Sequence, residues 1–315
     1  MRIVFMGSPE YAVTVLDLLI LNGHDVVAIY TRPDKPAGRG GEPLPTPVKT
    51  AALFWHLPLI EITDFRNSAV VAGLARWQPQ VIVVGAFGVI LPRAVLDIPP
   101  YGCLNIHPSL LPHYRGPAPV VAAILAGDQF AGVSVMQLDD GIDSGPVFSH
   151  SQISVLDHDD APSLTDRLFR TGAAMLLEVL AALPGGQLLP VPQVESQATV
   201  TRELQKEDGR VDWTLPAITI WRQLRAYRLW PESYTDWNNR RLKILEAFPV
   251  TSVDSPGAGI VTALPQFLLA TGAGFAVGTG HGVLGVSRVQ IEGKRAVPAR
   301  EFIRGHKEFL GSRLR

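Results

Sequence analysis

Cysteine is nearly missing. Cys103 is the only one, so no disulfide forms within the chain and a reducing, cytoplasmic setting is expected. It stands in an apolar stretch and reads as a buried, inert thiol. Long uncharged apolar runs are missing too: none approaches the roughly 18 residues of a membrane span, so no membrane partner is expected. The N-terminal apolar run is cut by Ser8-Pro9-Glu10, and no signal-peptide layout is expected. No G-x-G-x-x-G follows the first strand, where Gly7-Ser8-Pro9-Glu10 stands instead, so a dinucleotide fingerprint is absent. His107, His113 and Asp143 have no recognised metal-ligand spacing and no His-x-x-x-His occurs; no metal is expected. Ser109 lacks the G-x-S-x-G elbow of a hydrolase nucleophile.

What is present is ordinary for a globular enzyme, 47% hydrophobic and 18% charged, which excludes gross disorder. At 315 residues the chain exceeds the usual single core, so two domains are expected. The net charge of −1 is unevenly split. Residues 1–188 hold 11 Lys and Arg against 17 Asp and Glu, a net of −6; residues 189–315 hold 17 against 12, a net of +5. A basic C-terminal part suits an anionic partner, although solvated surface charge gives the same count.

Apolar strand runs at 2–6, 26–30, 80–85, 102–107 and 132–138 alternate with helical spacing at 10–22, 47–55, 67–77 and 117–126. That alternation predicts an α/β domain with a doubly wound, mostly parallel, Rossmann-like sheet. Its ligands belong at the carboxyl ends of the strands. A helix over 162–183 closes this domain at 188, and residues 189–205, poor in periodicity and rich in Pro and Gln, read as a linker. In the third part, 206–315, an amphipathic helix is predicted over 216–227 with Arg222, Arg225 and Arg228 on its basic face. Short runs at 240–248, 259–263, 267–270, 274–279 and 283–291, separated by Gly, predict a small barrel. Residues 31–47 form a long loop rich in Pro and Gly that carries Arg32, Lys35 and Arg39, a composition for phosphate contact or for a surface lid.

The chemistry concentrates in two stretches. Asn105 and His107 lie at i and i+2 near the end of a strand, so both side chains share one face. A neutral imidazole can take a proton from an attacking amine. An Asn amide can donate to the oxyanion of an acyl transfer, a contribution on the order of 3 kcal/mol. His107 needs an acidic partner, and the Gly-flanked Asp143 leads, with Asp139 and Asp140 competing for the role. By pattern alone His107 is equally a hydrogen-bonded core histidine and Asp143 a turn cap. Residues 81–92, a buried strand running into a glycine-punctuated apolar loop, suit either the wall of a heterocycle pocket or plain core.

The run Asn105-Ile106-His107-Pro108-Ser109-Leu110-Leu111-Pro112-His113-Tyr114-Arg115-Gly116 resembles the signature of the folate-dependent formyltransferases. Asp139-Asp140-Gly141-Ile142-Asp143-Ser144-Gly145 is similar to that family's second motif. The loop Thr31–Gly40 and the run Lys206-Glu207-Asp208-Gly209-Arg210-Val211-Asp212-Trp213 resemble features of its branch that acts on an aminoacyl-tRNA. Two departures stand out. Gly41 and Glu42 follow Gly40 where that branch commonly has lysines, and Arg228-Leu229 precedes Trp230-Pro231 where it often has Asn-Pro.

The resemblance implies 10-formyltetrahydrofolate as donor and the methionyl α-amine of aminoacylated initiator tRNA as acceptor. Asn105 would polarise the formyl oxygen, His107 would handle the amine proton, and Asp143 would orient His107. The pterin would lie against Ser109, Leu110, Leu111 and Pro112 and against Phe87, Gly88, Val89, Ile90 and Leu91, with Asp139 among the cofactor contacts. Arg39, with Lys35 and Arg32, would reach the tRNA. The C-terminal domain is implied to be an OB-like β-barrel with Lys294, Arg295, Arg300 and Arg304 near a backbone-contacting surface. A monomer without a DNA partner is expected. Two alternatives remain at this point: formylation of a small amine such as an amino sugar nucleotide or glycinamide ribotide, and a non-catalytic RNA-binding protein.

Overall fold

A computed structural model describes residues 1–37, 42–264 and 272–315. The strand expected over 267–270 and the side chain of Arg39 lie outside the described residues. The chain divides into two compact units. Unit 1 comprises 1–119, 130–154 and 164–201; unit 2 comprises 120–129, 155–163 and 202–315.

Unit 1 is built on strands β1 (Arg2–Gly7) and β2 (Asp25–Thr31), the short hairpin β3 (Lys35–Ala37) with β4 (Glu42–Leu44), β5 (Leu59–Glu61), β6 (Val81–Gly85), β7 (Cys103–His107), β8 (Phe130–Gln137) and β9 (Val147–Ser154). The large sheet runs β5-β2-β1-β6-β7-β8-β9. The first five strands pair in parallel, and the β7–β8 and β8–β9 pairings are antiparallel, so β8 alone runs against the rest. Helices α1 (Glu10–Leu21), α2 (Pro47–Phe54), α3 (Ser68–Arg76) and α4 (Arg93–Leu96) connect the parallel strands; α5 (Pro119–Ala126), all but its first residue in unit 2, and α6 (Ala161–Ala182), most of it in unit 1, follow. The doubly wound, mostly parallel expectation therefore holds. Its cause is visible in β1, where Ile3 to Met6 are all fully buried, the continuous apolar run that a strand covered on both faces requires. Helix starts follow capping chemistry. Thr46 Oγ1 accepts from Lys49 N at 3.1 Å with Pro47 at the first turn, and Asn67 Oδ1 accepts from Ala69 N at 2.9 Å.

Several elements carried too little pattern to be expected. β5 has only three residues, and β9, at the sheet edge, is mostly polar without regular polar–apolar alternation. The 31–47 loop contains the β3–β4 pair, with Lys35 opposite Leu44. Helix α6 is long and apolar enough to cross a bilayer by length and composition. Its Leu164, Leu168, Phe169, Leu176 and Leu180 are buried, so the stripe serves as core. Cys103 is buried as expected, and desolvation, aided by Asp97, pushes its thiol up to about 12, which leaves it unreactive near neutral pH.

Unit 2 holds α7 (Ala217–Ala226), β10 (Tyr234–Trp237), β11 (Arg240–Val250), β12 (Val261–Ala263), β13 (Phe275–Gly278), β14 (Val283–Ile291), β15 (Val297–Pro298) and α8 (Ala299–Gly305). The antiparallel path is β10-β11-β14-β13-β12, with β15 on β14. The tail joins the two ends of that path. Val261 N donates to Ser312 O and Leu314 N to Gly259 O, while Asp236 and Arg315 exchange N–H···O bonds of 2.8 and 3.1 Å. Closure of this kind removes sheet edges, and it accounts for the barrel-like character that the spacing predicts. Inside lie Trp237, Phe275, Phe302 and Phe309, with Trp237 and Phe309 edge to face at 5.1 Å.

Arg222 and Arg225 on α7, and Arg228 just beyond its end, are engaged within unit 2. Arg225 stacks 4.3 Å over Trp221 and donates to the carbonyls of Asp159 and Leu156, both at 2.6 Å. Arg228 donates to Leu245 O at 2.7 Å and lies 3.6 Å from Asp160 Oδ2. Arg222 passes over Gly127, whose φ is +76°.

Candidate active site at the end of β7

Strand β7 pairs with β8 so that Asn105 faces Met136 and His107 faces Ser134. His107 is buried at 4% exposure. Its Nε2 lies 2.9 Å from Tyr114 O and its Nδ1 lies 3.5 Å from Asp143 Oδ2. A carbonyl only accepts, so the neutral ring keeps its single N–H on Nε2 and carries its lone pair on Nδ1. An N–H formed at Nδ1 then points at the Asp143 carboxylate, which faces it at 3.5 Å. Asn105 is half-buried on the same strand face, and its side-chain amide has no hydrogen-bond partner among the described residues. One end of β7 thus presents a free amide and a basic ring nitrogen backed by a carboxylate.

Asp143 is the acid that reaches His107; the other two are used elsewhere. Asp139 Oδ1 accepts from Gly141 N at 3.0 Å and from Ser144 Oγ at 2.9 Å, which folds the loop on itself. Asp140 faces Arg93 at 3.5 Å. Asp143 sits at φ +48°, in the left-handed region that Asp tolerates better than most residues, and its Oδ2 accepts from Gly116 N at 2.8 Å. Gly145 must be glycine, because a Cβ there would fall on the carbonyl oxygen of Gln137.

The Ser109–Pro112 turn is pinned to β8 by Ser134, which is fully buried. Ser134 Oγ donates to Ser109 O at 2.7 Å and accepts from Leu111 N at 3.2 Å. Ser109 Oγ is spent on His113 O at 2.6 Å. Leu110 packs over Gly132, where a Cβ would collide with its side chain. Leu111 is 9% exposed, and its peptide bond to Pro112 is cis. On the other loop, Phe87 and Leu91 turn into the hydrophobic core, while Gly88 is exposed and Ile90 is 89% exposed at the tip, with Val89 between them partly buried against that core. Arg32 Nη1 donates to Gly88 O at 2.6 Å, which ties the 31–47 loop to this tip. Lys35 is exposed on β3.

The model of the formyl transferase family matches residues 1–180, and that of the formyl transferase C-terminal domain matches residues 203–307. The chain belongs to the formyl transferase family. Among curated members of the family, a methionyl-tRNA formyltransferase from Chloroflexus aggregans is 51% identical over 82% of this chain and 84% of its own length. One from Dehalococcoides mccartyi is 44% identical over 100% of this chain and 98% of its own. Among solved structures, HypX from Aquifex aeolicus matches with a TM-score of 0.68 at 18% identity, over 98% of this chain and 48% of HypX, a likeness of fold.

Several residues around this constellation carried no signal of their own. Arg115 falls within the quoted signature without an assigned role. It is 5% exposed and makes a bidentate pair with Glu195 at 3.1 and 2.9 Å, while its Nε donates to Gln193 Oε1 at 3.0 Å. Gln193 Nε2 donates to the carbonyls of Asp143 at 2.8 Å and Gly145 at 2.7 Å. Thr201 Oγ1 donates to Arg115 O and Thr199 Oγ1 accepts from Tyr114 N. These contacts join positions roughly fifty to eighty-five residues apart through single side chains, a pattern without period. Among the described residues no group of three or more His, Cys, Asp or Glu is arranged to hold a metal ion.

Proposed function

We propose that this chain transfers a formyl group from 10-formyltetrahydrofolate to the α-amino group of methionyl initiator tRNA. The observation that carries the reading is full-length likeness to methionyl-tRNA formyltransferases across both family modules; the His107–Asp143 pair within the first, with Asn105 on the same strand face as His107, supports it. The donor set fits an N-formyl compound: a free amide for the formyl oxygen and a basic nitrogen for the amine proton, with no charge to quench. When bound, 10-formyltetrahydrofolate supplies a formyl group already activated on nitrogen.

Asn105 donates to the formyl oxygen as negative charge develops there, a contribution on the order of 3 kcal/mol. His107 accepts, at Nδ1 where its free pair lies, the proton that the amine sheds on forming the new C–N bond, and returns it to the donor nitrogen as the bond from that nitrogen to the formyl carbon breaks. Asp143 receives the N–H so formed and stabilises the imidazolium. Tyr114 O holds the opposite side of the ring, so the imidazole does not rotate between the two states. The positioning of amine and donor accounts for most of the remaining acceleration.

The Ser109–Pro112 turn and the Gly88–Ile90 tip are assigned to the pterin side of the cleft. Phe87 and Leu91 support that tip from the core, and Asp139 acts on the cofactor side by shaping the 139–145 loop. Arg32, Lys35 and Arg39 are assigned to the tRNA, and residues 206–315, with their basic excess, to its backbone. A catalytic domain over 1–188, a connector over 189–205, a cytoplasmic location and a monomeric state complete the proposal.

The test is an assay of purified protein with 10-formyltetrahydrofolate and either methionyl-tRNA or small amines. Formyl-methionyl-tRNA is the expected product; transfer to a small amine alone would refute the reading. His107→Ala and Asn105→Ala are expected to abolish turnover while tRNA binding, read by filter retention, stays intact. Turnover at the unsubstituted rate in either variant removes that residue from the site.

A further inference from the structure

The turn that carries Asp143 is held from outside by one side chain. The carbonyls of Asp143 and Gly145 both point at Gln193 Nε2, at 2.8 and 2.7 Å. The other end of that amide accepts from Arg115 Nε at 3.0 Å. Arg only donates and carbonyls only accept, so the amide has one orientation that satisfies all three neighbours. Arg115, nearly fully buried, is neutralised by Glu195, whose carboxyl it holds below the usual carboxylate range by direct hydrogen bonding and charge.

We propose that Gln193 is a positioning residue that sets the place of Asp143, and through it the basic nitrogen of His107. The inference rests on the catalytic reading of His107 and Asp143. Asp143 occupies a left-handed backbone conformation at φ +48°, and its Oδ2 stands 3.5 Å from His107 Nδ1, a separation that a small rotation of the turn closes or opens. Gly116 N fixes the carboxylate from one side; Gln193 fixes the backbone on which it is mounted. No other side chain of that length offers two N–H groups on one atom and an acceptor for Arg115 on the next. Glutamate has no donor, asparagine is a methylene short, and lysine cannot accept.

The sharpest variant is Gln193→Glu. It conserves shape and gives Arg115 a second carboxylate, so the fold is retained, but it presents oxygens to two carbonyls that need donors. We expect kcat to fall roughly 10- to 100-fold, as for a misplaced catalytic group, with KM for methionyl-tRNA and for 10-formyltetrahydrofolate changed by less than about twofold. The limb of the pH–kcat profile set by His107 moves with it. The decisive comparison is a double-mutant cycle with Asp143→Asn. If Gln193 acts through Asp143, adding Gln193→Glu to Asp143→Asn lowers kcat by no more than about twofold further. Multiplying effects would overturn the inference, as would an unchanged kcat and pH profile in Gln193→Glu alone. A normal kcat in Asp143→Asn alone would instead remove the catalytic reading beneath it. Gln193→Leu provides a second variant without donor or acceptor, and it is expected to share the kcat loss and the non-additivity.

Discussion

Replacing Ser134 by alanine removes one oxygen that serves two main-chain groups. Ser134 is fully buried, its Oγ donates to Ser109 O at 2.7 Å, and it accepts from Leu111 N at 3.2 Å. Each hydrogen bond contributes about 0.5–1.5 kcal/mol net, and a buried partner left unsatisfied costs about 1–3 kcal/mol. Two orphaned groups in a site closed to solvent therefore cost about 2–4 kcal/mol together. With the entropy of unfolding typical of domains this large, that loss lowers Tm by roughly 4–16 °C. The Leu111 amide reports directly, because its exchange with solvent is slowed by the bond that the substitution deletes. Calorimetry and amide exchange on the folded variant should both register the change, with Leu111 losing protection ahead of the strand amides of β7. Should Tm fall by less than about 1 °C while Leu111 exchange stays as in the parent, the turn is not pinned by Ser134.

Two further outcomes follow from the same contacts. Gly145→Ala places a Cβ on the Gln137 carbonyl oxygen, and neither backbone segment is free to yield. The 139–145 loop is expected to shift by about 1 Å and kcat to fall about 100-fold, with the protein still binding tRNA; a variant with normal kcat would show that the loop tolerates displacement. Asp208 is held below the usual carboxylate range by Arg202 and then by the Gln205 N–H. A lowered folded pKa gives stability that is complete above the ordinary carboxylate value of about 4 and is lost as pH falls through the folded value. Asp208→Asn should therefore cost about 1 kcal/mol at pH 7, and urea midpoints of the two proteins should converge toward pH 3; a gap that does not narrow in acid would contradict this origin.

The parts of the fold that were legible share one property: their signal is periodic and local. Runs such as residues 3–7 and Val81–Gly85 are apolar throughout because both faces of a parallel strand are covered. Asn105 and His107 were legible as a pair because strand periodicity alone puts them on one face. The choice among Asp139, Asp140 and Asp143 was not. It depends on the left-handed backbone at Asp143 and on the close pass of Gly145 over Gln137, which no spacing rule encodes. The segment after α6 looked featureless for the same reason. Its order comes from Val191 pairing with Val147, from Gln193, and from Thr199 and Thr201 bonding to 112–116, each contact long in sequence and one residue wide. The β9 edge strand escaped because its alternation is weak, and the tail at 311–315 because it contributes main-chain bonds from residues with little strand propensity.

The three-piece make-up of unit 2 bears on how such enzymes exchange parts over evolution. A single crossover between Thr201 and Arg202 transfers only the longest of its three pieces and leaves 120–129 and 155–163 with the other parent. Where the joint relies on main-chain acceptors, as Arg225 does at Leu156 and Asp159, any parent's sequence supplies the partner. Where it relies on side chains, as at Arg228 with Asp160, or on a glycine at positive φ, as at Gly127 beneath Arg222, the two parents must agree residue for residue. Viable chimaeras are thus sorted by compatibility at positions 127 and 160, far in sequence from the splice, and a lineage that acquires a foreign C-terminal module inherits with it a constraint on its own N-terminal part.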